Sequence, residues 1–590
     1  MKHTRPLLAT TLALTLAACG QQTATPAAAP VASVPAPEAV AGDTYLVGFK
    51  QPLSGQSLGA QQLAAQATLQ AQAIQAAGGA LTQQWAEISA AAVRLSPAAL
   101  AKLQGNPQVE YVEREAVHRA LGFRSGVSDE GGAQRSLSGQ TLSAQAISAQ
   151  AIYTASGETT WGDAALRVPQ LRAAGYTGAA TTKIAVCITD TGIDGNHPEF
   201  GRKLKGFRNF VTTEANRNDA YLLNDVSHHG THVAGTVFAQ YGAGTGAGGL
   251  QSGMDADGVG GVASGADLYM ARVLGDTGSG SSSGIINGVN WCVAQLKSQG
   301  GTEDKVIVSM SLGGGAKSQT EQRAYTAAYN KGALIIAATG NDGAAVSYPA
   351  AYTEVVGVAA VDSNLAKADF SNFGTQVDLS GPGVDVISSV PLGQGTAASA
   401  SGGGVSFQNV QAADLTGKGS FTGSVVAAGG TNNEFCGTTT RNAALSGNIA
   451  LISRGTCSFE EKTANAVASG AKGVMIYNNA AGALGISLTN AYAVPVVGLQ
   501  QADGQALLGK LPTTGTASVT AADYESFNGT SMATPHVSAA AAVVWAAKPT
   551  LTNAGLLSLL TSTAKDLGTA GKDTNFGSGL VDPYKAITGQ

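Results

Sequence analysis

Four runs of almost uninterrupted apolar residues limit the fold most: Lys183-Ile-Ala-Val-Cys-Ile188, Lys305-Val-Ile-Val-Ser-Met310, Ala333-Leu-Ile-Ile-Ala-Ala338 and Val355-Val-Gly-Val-Ala-Ala360. A strand with one face in water alternates apolar and polar residues. These do not, so both of their faces must be covered. Helix-length segments separate them, which predicts crossover helices packed on a parallel sheet, an α/β architecture. The pattern begins near Trp161, breaks after Val390 and resumes near Asp523. With 590 residues the chain needs more than one core. Its 44% apolar and 12% charged residues exclude a disordered polyelectrolyte. A net charge of −5 offers no basic face to nucleic acid, and five cysteines are too few for a disulfide scaffold.

The N-terminus carries an address. Lys2 and Arg5 precede an apolar run from Leu7 to Ala18, too short to span a bilayer core of about 30 Å and suited to an export signal. The run ends Leu16-Ala17-Ala18-Cys19-Gly20, which resembles a bacterial lipobox and implies lipidation of Cys19. Residues 1–18 are thus read as signal and 19–43 as an Ala/Pro/Thr-rich linker. A small α+β module follows over 44–118. It has strands at 44–50, 88–95 and 109–113, a helix over 61–77 ended by Gly78-Gly79, and a second helix opened by Ser96-Pro97. Residues 119–160, rich in Ser, Gly, Gln and Ala, are read as a cleavable connector.

Three stretches carry chemistry. Asp190 closes the first apolar run and is followed by Thr191-Gly192, at the strand end where α/β sheets place active groups. His228-His229-Gly230-Thr231-His232 opens an apolar helix. In Asn528-Gly529-Thr530-Ser531-Met532-Ala533-Thr534-Pro535-His536 a serine enters a helix N-terminus, where free N–H groups can receive an oxyanion. In the order Asp, His, Ser these stretches resemble the subtilisin-like serine proteases (subtilases). The likeness covers 161–390 and 523–590 and implies a subtilisin-like three-layer fold with a mostly parallel central sheet. It implies that Asp190 orients the imidazole, His229 is general base and then acid, and Ser531 is the nucleophile of a serine endopeptidase working through an acyl-enzyme.

The same resemblance assigns further residues. Asn341, in Ala338-Thr-Gly340-Asn341, is the second oxyanion donor. Ser311, Leu312 and Gly313 form one wall for an extended peptide, and Gly278, Ser279 and Gly280 the other. Ser347 ends the main pocket, whose Gly and Ser walls suit large apolar side chains, and Asp342 adds tolerance for basic ones. His232 and His536 are read as packed structural histidines. His228 and His232 are four residues apart, but without a glutamate between them or a third ligand they do not make a zinc site. Gly280-Ser-Ser282-Ser-Gly284 matches an esterase elbow and is rejected, because no buried strand runs into it.

Residues 44–118 resemble the subtilase inhibitor propeptide, which implies a self-processing precursor inhibited by its own N-terminal module and cut somewhere past Glu113. Within 391–522, Gly447-Asn-Ile-Ala-Leu-Ile-Ser-Arg454-Gly-Thr-Cys457 and Lys462 to Tyr477 resemble a protease-associated (PA) domain. Cys436 and Cys457 are expected to form a disulfide, contributing about 3 kcal/mol for a loop near twenty residues. Cys187 and Cys292 are read first as free core thiols. Catalysis needs no cofactor; the family's structural calcium directs attention to Glu199, Asp255 and Asp257, with no metal site assigned. Partners are protein and peptide substrates, and the membrane is met only through the precursor's lipid. A monomer is expected, with the mature enzyme secreted. The competing reading is a cell-surface binding protein on an inactive protease scaffold.

Overall fold

A computed structural model describes residues 43–51, 59–124, 159–200, 204–214, 216–241, 258–314, 316–408, 410–413, 415–480, 484–486 and 488–590. Residues 1–42, which include Cys19 and all but the last residue of the linker, together with Asp255, Asp257 and most of 119–160, lie outside these residues.

The central sheet has seven parallel strands, in the spatial order Val377–Pro382, Val355–Val361, Leu334–Ala338, Lys305–Met310, Ile184–Asp190, Asp267–Arg272 and Leu204–Asn209. The uninterrupted apolar runs have their cause in the two layers above and below. Along one strand Ile184, Val186 and Ile188 face a core shared with Val233, Val237, Met532 and Trp545, from the helices His229–Phe238 and Thr530–Ala547. The intervening Ala185 and Cys187 face a second core with Ile285, Val289 and Tyr325, from the helices Ser282–Val293 and Gln319–Asn330.

That layering corrects one reading. Cys187 on the strand and Cys292 on the covering helix stand with Cα atoms 5.7 Å apart and are bridged, not free. Facing positions on two packed layers bring them within disulfide reach across 105 residues of sequence. Cys436 and Cys457 are also bridged.

The N-terminal module is a four-stranded antiparallel sheet, with Val109–Arg114 and Ala80–Trp85 at its edges, and two helices, Ala60–Ala77 and Pro97–Gln104. Ser96 caps the second helix, its Oγ accepting from the Ala99 N–H at 3.3 Å. The strand Ala80–Trp85 was not expected: with two glutamines and partial exposure it lacks an alternating pattern. The insert builds an eight-stranded mixed sheet of its own. In it Ile449–Ser453, Gly473–Tyr477 and Val496–Leu499 run parallel, and Gly395–Gly402 pairs with Thr513–Ala522. It is entered and left through Val386–Ser389 and Tyr524–Asn528, which pair antiparallel from Val386↔Phe527 to Ser389↔Tyr524.

Candidate active site

The site lies at the carboxyl ends of the central strands, where the order of connections changes direction. Asp190 is the last residue of its strand and fully buried. Its Oδ1 accepts from the Thr191 N–H and from His229 Nδ1, both at 2.7 Å. His229 is the first residue of its helix, behind His228 in a left-handed conformation (φ 66°) that turns the chain into the helix. Ser531 is the second residue of an eighteen-residue helix whose N-terminus points at the cleft. Pro535 cannot donate to the carbonyl four residues before it, that of Ser531; Ser311 Oγ donates there instead at 2.8 Å.

The cleft is filled by the chain's own residues 117–124. Val117–Ala120 forms the middle strand of a three-stranded antiparallel sheet. One wall is Ser279–Ser281, with Gly280 opposite His118, and the other is Leu312–Gly313, with Leu312 opposite Ala120. The Ala120 N–H donates to Gly278 O (2.9 Å) and the Leu121 N–H to Ser311 O (3.3 Å). All six residues expected to pair with a peptide backbone therefore lie along this segment. The first residues of the expected connector are thus strand, not loop. Their legible signal is Ala120-Leu121-Gly122-Phe123, which breaks the Ser/Gln/Ala composition around it.

Leu121 lies between Ser531 and Asn341. Its carbonyl accepts from the Ser531 N–H (3.3 Å) and from Asn341 Nδ2. Asn341 is fixed by its other amide atom, Oδ1, which accepts from Thr530 N (2.9 Å) and Thr530 Oγ1 (2.8 Å). Gly529, at φ 150°, allows this approach, since a Cβ there would lie 2.3 Å from Leu121 O. The Leu121 side chain fills the pocket at Gly313, where an added Cβ would meet Leu121 Cδ1 at 2.6 Å and Ser347 Oγ at 2.9 Å. Asp342 is exposed. Gly122 lies against the imidazole: a Cβ there would come within 2.7 Å of His229 Nε2. The Ser531 hydroxyl donates to Ser311 O at 2.9 Å, leaving His229 Nε2 facing Gly122 without a hydrogen-bond partner. Downstream, Phe123–Arg124 pairs with Phe527 and Asn528.

The other expectations resolve locally. His232 donates Nε2 to Val386 O at 3.0 Å and stacks on Phe527, with ring centroids 4.4 Å apart; burial lowers its pKa to about 3. His536 donates Nδ1 to Met532 O at 2.7 Å, and burial lowers its pKa to about 4. Glu199 is buried, and its Oε1 accepts from Tyr524 OH (2.7 Å) and Val259 N (3.2 Å). These are donors, not the oxygen ligands calcium requires, and the described residues hold no cluster of three or more acidic, His or Cys side chains fit for a metal. A three-residue strand, Ser279–Ser281, leads into the esterase-like Gly-x-Ser-x-Gly, but it is only half-buried, so no buried strand runs into that motif. The Ser282 hydroxyl is buried, donates to the Glu321 carboxylate at 2.5 Å and lies 3.4 Å from His118 Nε2. Glu321 itself was not singled out from the sequence.

Comparison with known proteins agrees with this geometry. The model of the subtilase family matches residues 181–409 and 501–579, and that of the PA domain matches 421–507. Subtilisin NAT of Bacillus subtilis subsp. natto is 31% identical over 354 residues, 59% of this chain and 74% of that protein. The major intracellular serine protease of Bacillus subtilis (strain 168) is 36% identical over 234 residues, 38% of this chain and 65% of that one. The crystal structure of the psychrophilic subtilisin-like protease Apa1 from the Antarctic psychrotroph Pseudoalteromonas sp. AS-11 aligns with a TM-score of 0.52 at 33% identity, covering 72% of this chain and 96% of that one. Fold, family match and likeness to subtilisins agree: the chain belongs to the subtilase family, carries an inserted PA domain, and is a serine-type endopeptidase.

Proposed function

We propose that the chain is the precursor of an exported protease that cuts its own Leu121–Gly122 bond, with Asp190, His229 and Ser531 as triad and Asn341 as oxyanion donor. One observation carries this reading: the Leu121 carbonyl accepts from both Ser531 N–H and Asn341 Nδ2, while Gly122 lies against His229 Nε2. A rotation about the Ser531 side chain takes its hydroxyl from Ser311 O toward the imidazole. His229 Nε2 then removes the proton as Oγ attacks the Leu121 carbonyl carbon, and the negative charge on Leu121 O falls to the two waiting donors. Asp190, bonded to Nδ1, keeps the proton off Nε2 beforehand and stabilises the imidazolium. The imidazolium passes its proton to the Gly122 nitrogen as the C–N bond breaks, and water releases the acyl-enzyme by the same steps in reverse.

Protein substrates would lie as 117–124 lies, with a large apolar residue in the pocket of Leu121. On this reading the module 44–118 inhibits until it dissociates, any lipid on Cys19 leaves with it, and the mature enzyme is released outside the cell, where both disulfides are stable. Expression of the full chain tests it. The mature N-terminus should be Gly122 by mass spectrometry, and Ser531→Ala should leave uncut precursor with no cleavage of casein. A mature terminus beyond residue 160, or an S531A chain that still matures in isolation, overturns the proposal.

A further inference from the structure

Ser318-Gln-Thr-Glu321 has the form of a capping box, in which the glutamate reaches back to the N–H of the capping serine. Only half of it forms. Ser318 Oγ accepts from the Glu321 N–H at 3.1 Å, but the Ser318 N–H donates to Tyr352 OH at 2.8 Å. The Glu321 carboxylate turns inward and is fully buried. Its Oε1 accepts from Ser282 Oγ at 2.5 Å and His118 Nε2 at 2.6 Å, and its Oε2 from Tyr352 OH at 3.0 Å. Tyr325, on the same helix, is also buried, and its hydroxyl has no partner.

His118 is the fourth residue upstream of the Leu121–Gly122 bond. Along its strand Val117 and Arg119 are exposed and His118 is fully buried, so strand alternation drives this one side chain into the protein. The two walls on either side are backbone-pairing strands that read no side chains; the selective contact at this position is the carboxylate. When the propeptide leaves, Glu321 keeps two neutral hydroxyls and loses its nitrogen donor. An apolar side chain entering in its place would seal a carboxylate from water without restoring that donor, and an acidic one would add like charge. We propose that Glu321 forms the floor of the pocket for the fourth upstream residue and selects substrates with a basic side chain there, histidine, arginine or lysine. With His118 in place, burial pushes the Glu321 carboxyl up, but the charge of His118 and the hydrogen bonds from His118, Ser282 and Tyr352 outweigh it, so its pKa lies below the ordinary value.

The inference rests on the protease reading above, and one experiment separates the two. Mature enzyme from the full chain is given quenched-fluorescence peptides Xaa-Arg-Ala-Leu-Gly-Phe-Arg, with Xaa as His, Arg, Leu or Glu. The His and Arg peptides should show kcat/KM roughly ten- to a hundredfold above Leu, with Glu slowest. Equal rates, or a preference for Leu, overturn the inference and leave the protease reading standing; no cleavage of any peptide or of casein overturns both. Glu321→Gln should flatten the ranking, and a ranking that survives it overturns the proposal. Because Glu321 also holds the propeptide, His118→Leu in the otherwise natural chain gives an independent reading: self-cleavage should slow by a comparable factor and recover in His118→Arg. Recovery with Leu but not Arg means that shape, not charge, is selected.

Discussion

The N-terminal module grips the catalytic unit in two ways, and the body of the module differs from its tail. The body, residues 43–115, never enters the cleft. Leu46, Trp85, Ile88, Ala90 and Ala92 share a buried cluster with Ile286 and Ala324, on the two helices that cover the central sheet. Glu113 accepts from Ser318 Oγ (2.6 Å), Gln319 N (3.0 Å) and Thr320 N (3.0 Å), and Glu115 from Ser283 N (2.9 Å). Two carboxylates thus answer the free N–H groups at the starts of two helices. The tail is held by backbone ladders and by Ser531 N–H and Asn341 Nδ2. On the proposed reading the body supplies affinity and survives cutting, while the tail sets the register and is cut.

That division can be broken from either side. Asn341→Ala should slow both self-cleavage and peptide hydrolysis by about 10² to 10³, a magnitude carried over from subtilisin, where such a donor has been removed. It should leave unchanged the rate at which cut propeptide departs, measured by recovery of activity after processing. A variant that loosens the propeptide as much as it slows the chemistry would show that body and tail are one unit. The double change Glu113→Ala, Glu115→Ala should do the opposite, speeding departure roughly ten- to a hundredfold while a peptide substrate is cut at the natural rate.

The proposed mature enzyme, which keeps only 122–124 of these two regions, provides the baseline. His232 and His536 titrate well below the ordinary 6.5 because burial opposes their charge. As pH falls below about 6.5 the unfolded chain binds protons that the folded one refuses, so stability is lost down to the folded values. Asp163, raised by burial to about 6, works the other way between about 4 and 6 and offsets one histidine. Asp225, also raised by burial, acts in the same sense as Asp163, so stability read from urea midpoints should fall between pH 6 and 4 by less than the two histidines alone would cost. Imidazole signals of His232 and His536 that titrate near 6.5 by NMR would show that these rings open to water before the fold is lost.

Motifs whose meaning is local were legible in the sequence. Runs buried on both faces announced the sheet, Ser96-Pro97 its helix start, and Asp190, His229 and Ser531 the strand and helix ends that carry them. What depends on two distant segments meeting was not. Cys187 and Cys292 face each other only because one helix covers one strand. Residues 117–124 have little strand character of their own; they become strands by pairing with 279–281, 312–313 and 527–528. Glu321 reads as an ordinary first-turn glutamate, and only the arrival of His118 from some two hundred residues away shows where its carboxylate turns.

The insert leaves and rejoins the catalytic unit through one zipped stem, Val386–Ser389 against Tyr524–Asn528. Its ends are cross-strand neighbours whatever is hung between them, and closing a longer loop costs only about 0.6 kcal/mol per doubling of length. The serine helix that follows the stem is therefore indifferent to the size of its guest. An architecture of this kind can acquire, exchange or discard a whole accessory domain at that position as a branch is grafted to a trunk, without resetting the chemistry one turn away.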